Sequence, residues 1–318
     1  MSTVKNLTVL GSGVLGSQIA WHSAYKCKNV VVYDISAEAL ERCRFSHDQY
    51  AVIYQRDLGA SDVDIETTKA RLTYSTDLAG AVANADLVIE AVPEIPEIKA
   101  SIYQQMAPLL PAHTLIATNS STLLPRDFAG ATGRPEKYCA LHYANQIWAV
   151  NVVEIMSHPT TAKSTLHSVA TFAIETGMLP IAVQGEQNGY VLNTWLVALL
   201  NAAQTLVTNG TASPEDVDRT YLMVNRGTRM GPMGIMDAIG MKTVFDVLSH
   251  WGNVNKDKQM LENAAYVKKH MIDSGRMGLM VGNGYYSYPN PAYGCTDFLS
   301  VPHLSSVSEV VARCAPRD

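Results

Sequence analysis

His142 and Glu154 are the two side chains whose types and spacing best suit proton transfer. Apolar stretches at 137–142 and 151–156 carry them and predict two neighbouring strands. A carboxylate in an apolar strand is costly to bury unless it is paired, and the histidine is its natural partner. Bound through one ring nitrogen, His142 could take a proton from a substrate hydroxyl with the other nitrogen and return it in the reverse reaction. A structural histidine that is satisfied in the core is the alternative interpretation.

A second chemical feature is the glycine-rich segment GSGVLG at 11–16, which follows a predicted strand and begins a predicted helix. In this setting the first glycine permits a tight turn, the second a close pyrophosphate, and the third close packing of helix on strand. The free N–H groups at the helix start attract phosphate. The cofactor-binding residues predicted here are Gly11, Gly13, Val14, Leu15 and Gly16.

Asp34 ends the second predicted strand, where an acidic side chain accepts hydrogen bonds from the ribose hydroxyls of NAD. No arginine for an NADP 2′-phosphate follows directly, and Arg42 and Arg44 lie about two helical turns further on, where they are poorly placed. NAD is therefore the expected cofactor, ahead of NADP. FAD suits the chain less, because nothing later suggests a second nucleotide-handling region.

A cluster of polar residues, ATNSST at 117–122, follows another predicted strand. Ligands of open α/β sheets bind at the carboxyl ends of the strands, so this cluster is a candidate part of the site. A capped turn before a helix is the alternative.

The elements around these residues alternate: short β-branched runs are followed by helical patterns through the first half of the chain. This alternation predicts a parallel sheet with helices on both faces. The predicted fold class is α/β, with an N-terminal Rossmann-like, doubly wound, mainly parallel sheet over 1–186. A helical hairpin is expected at about 36–72.

After the last predicted strand, at 179–183, helical patterns alone remain, so 187–318 is predicted as an all-helical domain that serves substrate binding and dimerisation. Ser213 is the expected N-cap of one of its helices. The helix expected at 190–207 is apolar nearly all round, which suits either the core of this domain or a subunit interface. Prolines and serines after 289 predict an extended tail.

The composition limits the classes of protein. The 318 residues predict two domains, and 47% hydrophobic with 17% charged residues is ordinary for a globular protein. The net charge of −5 argues against binding to nucleic acid or to a membrane surface. The first apolar stretch is too short for a signal peptide, and the five cysteines form no CxxC motif, so no disulfide framework and no metal site are expected. A cytoplasmic location follows as an expectation.

Together these motifs resemble those of L-3-hydroxyacyl-CoA dehydrogenases over roughly residues 5–288. The resemblance is closer still to the diketoreductase branch of that family, which shares the segment 117–125. It rests on the fingerprint with Asp34, Asn119-Ser120-Ser121, His142 with Asn145, Glu154, Gly189-Tyr190-Val191-Leu192-Asn193, Gly231-Pro232-Met233-Gly234 with Asp237 and Gly240, and Gly282-Asn283-Gly284-Tyr285-Tyr286-Ser287-Tyr288.

The resemblance implies a role for each matched residue. His142 would be the general base or acid, and Glu154 would orient it and stabilise the imidazolium. Ser121 and Asn193 would hydrogen-bond the reacting oxygen, with Asn193 supplied by the second domain. Further cofactor contacts are implied at Glu94, Lys99, Asn119 and Asn145. For Glu94 and Lys99, a solvated helix start with an ion pair is the alternative.

Three departures from the family pattern bear on the substrate. Gln146 follows Asn145 where the family usually has proline, Asn188 precedes Gly189 where it usually has proline, and Leu279 and Met280 stand where it often has lysines. The segment 38–72 holds five basic and seven acidic residues, which is weak attraction for the phosphates of coenzyme A.

Two substrate classes therefore stay open: a 3-hydroxyacyl-CoA, or a CoA-free 3-keto or 3,5-diketo ester or acid. A non-catalytic nucleotide-binding protein and a lysine-dependent hydroxy-acid dehydrogenase, using Lys242, Lys268 or Lys269, are the rival classes. A homodimer formed through the C-terminal helices is expected.

Overall fold

The computed structural model describes residues 4–212, 214–227 and 231–315, and the expected cap Ser213 lies outside them. Eight strands occur in the described residues: β1 (Asn6–Leu10), β2 (Asn29–Tyr33), β3 (Leu72–Ser75), β4 (Leu87–Glu90), β5 (Leu115–Thr118), β6 (Tyr138–Tyr143), β7 (Val152–Met156) and β8 (Leu179–Val183).

The α-helices of the described residues alternate with the strands in the first half of the chain and follow one another in the second. They are α1 (Val14–Tyr25), α2 (Ala37–Leu58), α3 (Asp62–Ala70), α4 (Leu78–Val82), α5 (Pro96–Met106), α6 (Lys163–Glu175), α7 (Leu192–Thr208), α8 (Pro214–Val224), α9 (Pro232–Ile239), α10 (Met241–Asn255), α11 (Lys258–Val267) and α12 (Val307–Cys314). None of the helices in the described residues is long and apolar enough to cross a membrane.

The strands form one sheet in the order β3-β2-β1-β4-β5-β6-β7-β8. Every neighbouring pair is parallel except β6 and β7, which are antiparallel. One apolar core packs α1, α6 and α12 against the sheet, and a second packs α4 and α5. The chain leaves β1 toward β2 on one side and returns to β4 on the other, which makes the edge between β1 and β4 a switch point of the kind that binds nucleotides. The predicted fold class is confirmed.

The contacts divide the chain into two compact units, residues 1–201 with 301–318, and residues 202–300. The boundary expected near 186 lies inside the first unit. The second unit has its own core of Met241, Val244, Val267 and Met271, and its described residues contain helices, turns and two isolated bridges. By these contacts Asn193 belongs to the first unit, and its supply by the second domain stays a prediction.

The expected extended tail is wrong for its last part, because residues 307–314 form α12. Val307, Val310, Val311 and Cys314 recur at helical spacing and are buried in the first unit's core against α6 and β8. Gly240 has a φ of 92° and separates α9 from α10.

Candidate active site and nucleotide site

The His142–Glu154 pair follows directly from the register of the sheet. His142 of β6 lies opposite Glu154 of antiparallel β7, so both side chains leave the same face. His142 Nδ1 lies 2.8 Å from Glu154 Oε2, and the two residues are 4% and 1% exposed. Among the described residues, none forms a hydrogen bond to Nε2. The ring therefore has one nitrogen fixed by the carboxylate and one free for a ligand.

The second oxygen of Glu154 binds the start of α7. Its Oε1 accepts hydrogen bonds from the N–H groups of Val191 and Leu192, both at 2.9 Å. These N–H groups lie at a helix N-terminus, where a negative charge is stabilised by the helix dipole. Glu154 is thus held by α7 on one side and holds the imidazole on the other.

A hydrogen bond joins Asn193 to Ser121 next to the residues that bind Glu154. Asn193 follows Leu192 directly, and its Nδ2 donates to the backbone oxygen of Ser121 at 3.4 Å. Asn188 donates from its Nδ2 to the backbone oxygen of Thr122 at 2.7 Å, so the residue that replaces the family's proline ties the polar loop 120–123 to the segment before α7.

Glu94 organises the same loop from its other side. Its Oε1 accepts from the Ser120 hydroxyl, from the backbone N–H groups of Ser121 and Thr122 at 3.0 and 2.9 Å, and from the Thr122 hydroxyl. Burial raises the pKa of Glu94, but the Ser120 hydroxyl, the charge of Lys99 and the Thr122 N–H outweigh it and lower the pKa to about 2. Glu94 therefore stays ionised and fixes the loop.

Lys99 is 1% exposed and pairs with two carboxylates. Its Nζ donates to Glu90 at 2.7 Å and to Glu94 at 3.1 Å. Glu90 is fully buried, and its Oε2 accepts from the hydroxyls of Tyr103 and Thr118. These contacts give Glu94 and Lys99 a positioning function, and their direct contact with a cofactor stays a prediction. Sequence reasoning missed Glu90, although an acidic residue at the end of an apolar strand was a signal for it.

A cavity of about 860 Å³ opens at the switch point, lined by the ends of β1, β2 and β4 and by one face of α5. Gly11 has a φ of 98°, and a Cβ there would lie 2.5 Å from Ala91 O. A Cβ on Gly16 would lie 1.9 Å from Gly11 O, whereas Gly13 at the N-cap of α1 has open space around it. The first and third glycines therefore pack the turn, and the second leaves room for a phosphate against the helix N-terminus.

The other predicted residues of the fingerprint divide between cavity and core. Val14 lines the cavity, whereas Leu15 packs against the apolar core. Asp34 lines the cavity and is fixed by Ser12, whose N–H and hydroxyl donate to it at 2.9 and 2.7 Å, and by the N–H of Ser36 at 3.1 Å. Arg42 also lines the cavity. The glycines, the helix start and Asp34 fit a dinucleotide.

Asn119 and Asn145 anchor the strand ends around the site. Asn119 is 8% exposed, and its Oδ1 accepts from the N–H of Tyr143 at 2.9 Å, which ties the ends of β5 and β6. Asn145 is exposed and accepts from Gln18 Nε2 at 2.7 Å. Gln18, a buried amide in α1, also accepts from the N–H of Gln146, which has a φ of 60° that proline cannot adopt. Sequence reasoning missed Gln18.

Comparisons with known proteins agree with this geometry. A model of the "3-hydroxyacyl-CoA dehydrogenase, NAD binding domain" matches residues 6–187, and a model of the same family's C-terminal domain matches residues 189–288. A mitochondrial hydroxyacyl-coenzyme A dehydrogenase of Sus scrofa is 28% identical over 290 residues, which cover 90% of this chain and 91% of that protein.

Two solved structures extend the comparison. A diketoreductase, described as acting on dicarbonyl compounds, is 42% identical with a TM-score of 0.67, covering 91% of this chain and 100% of that one. The (S)-3-hydroxybutyryl-CoA dehydrogenase of Ralstonia eutropha is 26% identical with a TM-score of 0.65, covering 90% and 100%. Since the two family models span most of the chain, this protein belongs to the 3-hydroxyacyl-CoA dehydrogenase family and is an NAD-dependent oxidoreductase.

Proposed function

We propose that the protein interconverts a 3-hydroxy and a 3-oxo compound, with His142 as the group that moves the hydroxyl proton. The observation that carries this proposal is the buried His142–Glu154 pair, whose Nε2 is hydrogen-bonded to none of the described residues. NAD, when bound, accepts the hydride from the carbinol carbon. His142 Nε2 takes the hydroxyl proton in oxidation and returns it in reduction. Glu154 fixes the ring and stabilises the imidazolium, as a carboxylate does for a catalytic histidine.

The oxygen of the substrate needs donors while its proton is in transfer, and Ser121 and Asn193 are proposed to supply them. The Asn193 amide lies next to the backbone of Ser121, and both residues are only partly buried. Asn119 and Asn145 at the strand ends, Asp34, and the glycine-rich turn are proposed to bind the cofactor.

The first test of this mechanism is the variant His142→Ala. We expect kcat to fall at least about a hundredfold, because the proton then has no fixed acceptor. His113→Ala is the matched control, since His113 is exposed and pairs with Asp86 away from the site, and it should keep wild-type turnover. Full turnover by His142→Ala would exclude this mechanism.

A specific observation supports a CoA-free dicarbonyl compound as an alternative to a 3-hydroxyacyl-CoA. The diketoreductase is 42% identical, against 28% for the mitochondrial hydroxyacyl-coenzyme A dehydrogenase. The acidic excess of 38–72 and the exposed apolar side chains Leu279 and Met280 point the same way.

The substrate class is decided by NADH oxidation at 340 nm with acetoacetyl-CoA and ethyl acetoacetate in parallel. A much higher kcat/KM for the thioester means that the nucleotide portion of coenzyme A contributes binding energy in the transition state. Equal or better turnover of the ester means that the protein acts as a diketoreductase. No turnover of either would contradict both assignments.

We also propose that the helices after residue 186, apart from α12, serve substrate contact and dimerisation, and that the protein is a cytoplasmic homodimer. Ile239, Val247 and Trp251 are each at least half exposed, as is usual at a subunit interface. All five cysteines are free thiols, which fits a reducing compartment. Analytical ultracentrifugation should give twice the mass of the chain, and Trp251→Glu should shift it toward the monomer. Cell fractionation tests the location.

A further inference from the structure

Tyr190 is a buried side chain that touches the catalytic pair and has no role in the mechanism above. It is 1% exposed, and its ring stacks on that of His142 with 4.7 Å between the centroids and 30° between the planes. It lies immediately before the two N–H groups that bind Glu154. One residue is therefore adjacent to both members of the pair.

The backbone of Tyr190 is strained in a way that serves both contacts. Its φ is 54°, in the left-handed region that a bulky side chain seldom adopts, and Gly189 before it has a φ of 78°. This turn directs the N–H groups of Val191 and Leu192 at Glu154 Oε1. The aromatic ring of Tyr190 packs in a buried apolar cluster and against the ring of His142. Strain of this kind persists where the surrounding structure fixes one geometry.

The ring, and not the hydroxyl, is the part of Tyr190 that acts on His142. The hydroxyl is buried with no hydrogen-bond partner in the described structure. Burial, with the charges of Glu94 and Glu154, raises the pKa of Tyr190 well above its ordinary value, so the hydroxyl keeps its proton at neutral pH and transfers none. An aromatic face, by contrast, attracts a cation such as the imidazolium that forms when His142 takes a proton.

We propose that Tyr190 is a positioning residue: its ring packs against the imidazole of His142, keeps that imidazole aligned with Glu154, and favours its protonated form. This inference rests on the proposed function of His142. It predicts that an aromatic side chain is required at 190, that the hydroxyl is not, and that losing the ring changes the pH dependence of oxidation.

The test compares Tyr190→Phe with Tyr190→Leu in the oxidation direction. Tyr190→Phe should keep kcat within about threefold and melt no lower than wild type, because it removes only an unpartnered hydroxyl. Tyr190→Leu should lower kcat by about tenfold or more, with little change in KM. The acid limb of its pH–rate profile should move down by about half a pH unit, because the imidazolium loses its aromatic partner.

Tyr143 provides a matched control. It is the next residue of β6 and is 3% exposed, and its hydroxyl also has no hydrogen-bond partner among the described residues. It faces the opposite side of the sheet and packs in the main core. Tyr143→Leu should lower the melting temperature and leave the acid limb where it is. An equal shift in both leucine variants would overturn the proposal, since it would reflect general loosening.

The remaining outcomes separate this inference from the proposed function. Loss of activity in a folded Tyr190→Phe, or a normal rate and pH profile in Tyr190→Leu, overturns the inference alone. Full turnover by His142→Ala in the same assay overturns the proposed function. If Tyr190→Leu does not fold, Tyr190→Met takes its place. If neither folds, the His142 Cε1–H resonance of the wild-type protein decides, being shifted upfield by the ring if the inference holds and unshifted if it fails.

Discussion

At Glu154 the exchange of a single atom tests the catalytic pair. Oε2 accepts from His142 Nδ1–H, and Oε1 accepts from the N–H groups of Val191 and Leu192. In glutamine one of these acceptors becomes an NH₂ donor, so either the imidazole or the start of α7 loses its partner. We expect Glu154→Gln to lower kcat at least about a hundredfold and to destabilise the fold by about 1–3 kcal/mol.

Steady-state NADH oxidation and urea unfolding measure the two effects. Glu175→Gln is the control, because Glu175 is a mostly buried carboxylate that pairs with Lys28 instead. It should lose stability without losing turnover. Wild-type kcat in a folded Glu154→Gln protein would mean that the carboxylate does not support catalysis.

The sequence pointed to this pair because an acidic residue inside an apolar strand is unusual. It did not point to Tyr190, because a positive φ at a tyrosine has no signature in composition or spacing. Glu90 also escaped: its place at the end of an apolar strand was a signal, but its partners Tyr103 and Thr118 lie in two other elements, α5 and β5. Residues whose function depends on long-range partners are the ones that a single sequence conceals.

One buried cation, Lys99, links β4, α5 and the loop 120–123. Lys99 of α5 is the charged partner of Glu90, which ends β4, and of Glu94, which fixes the loop. Lys99→Met leaves Glu90 as a buried carboxylate without its cation. We expect the free energy of unfolding to fall by about 3–5 kcal/mol, and kcat to fall as well because Ser121 loses its fixed position.

Lys69→Met is the control for that element, because Lys69 pairs with Asp48 at the surface and such a pair contributes about 0–1 kcal/mol. Urea unfolding of both variants gives the comparison. Equal stabilities would show that the buried ion pair is no stronger than its exposed counterpart.

Element types were more predictable than their ends and their partners. β3 was missed because LTYS at 72–75 is short and half polar. α12 was missed because the prolines and serines of 289–306 suggested an extended tail, although Val307, Val310, Val311 and Cys314 repeat at helical spacing. Its burial against α6 and β8 depends on the chain returning to the first unit, which local patterns do not show.

At the scale of the whole molecule, two buried histidines link the stability of the first unit to pH. Burial lowers the pKa of His22 from 6.5 to about 4, against a hydrogen bond to Thr176 that raises it. Burial likewise lowers the pKa of His47 to about 4. Between pH 6.5 and 4 the unfolded chain binds more protons than the folded one, so acid destabilises the fold.

The stabilisation from both histidines is complete above pH 6.5 and is lost as the pH falls toward 4. Each histidine should lower the free energy of unfolding by about 1.4 kcal/mol for each pH unit of acidification in that window. Other groups add to the total slope, so the measurement is the difference between variants: urea unfolding of wild type, His22→Gln and His47→Gln at pH 7 and pH 5. Each variant should lose about 2 kcal/mol less than wild type between the two pH values. The exposed His113→Gln should match wild type, and an unchanged loss in both buried variants would mean that folding does not lower the pKa of these histidines.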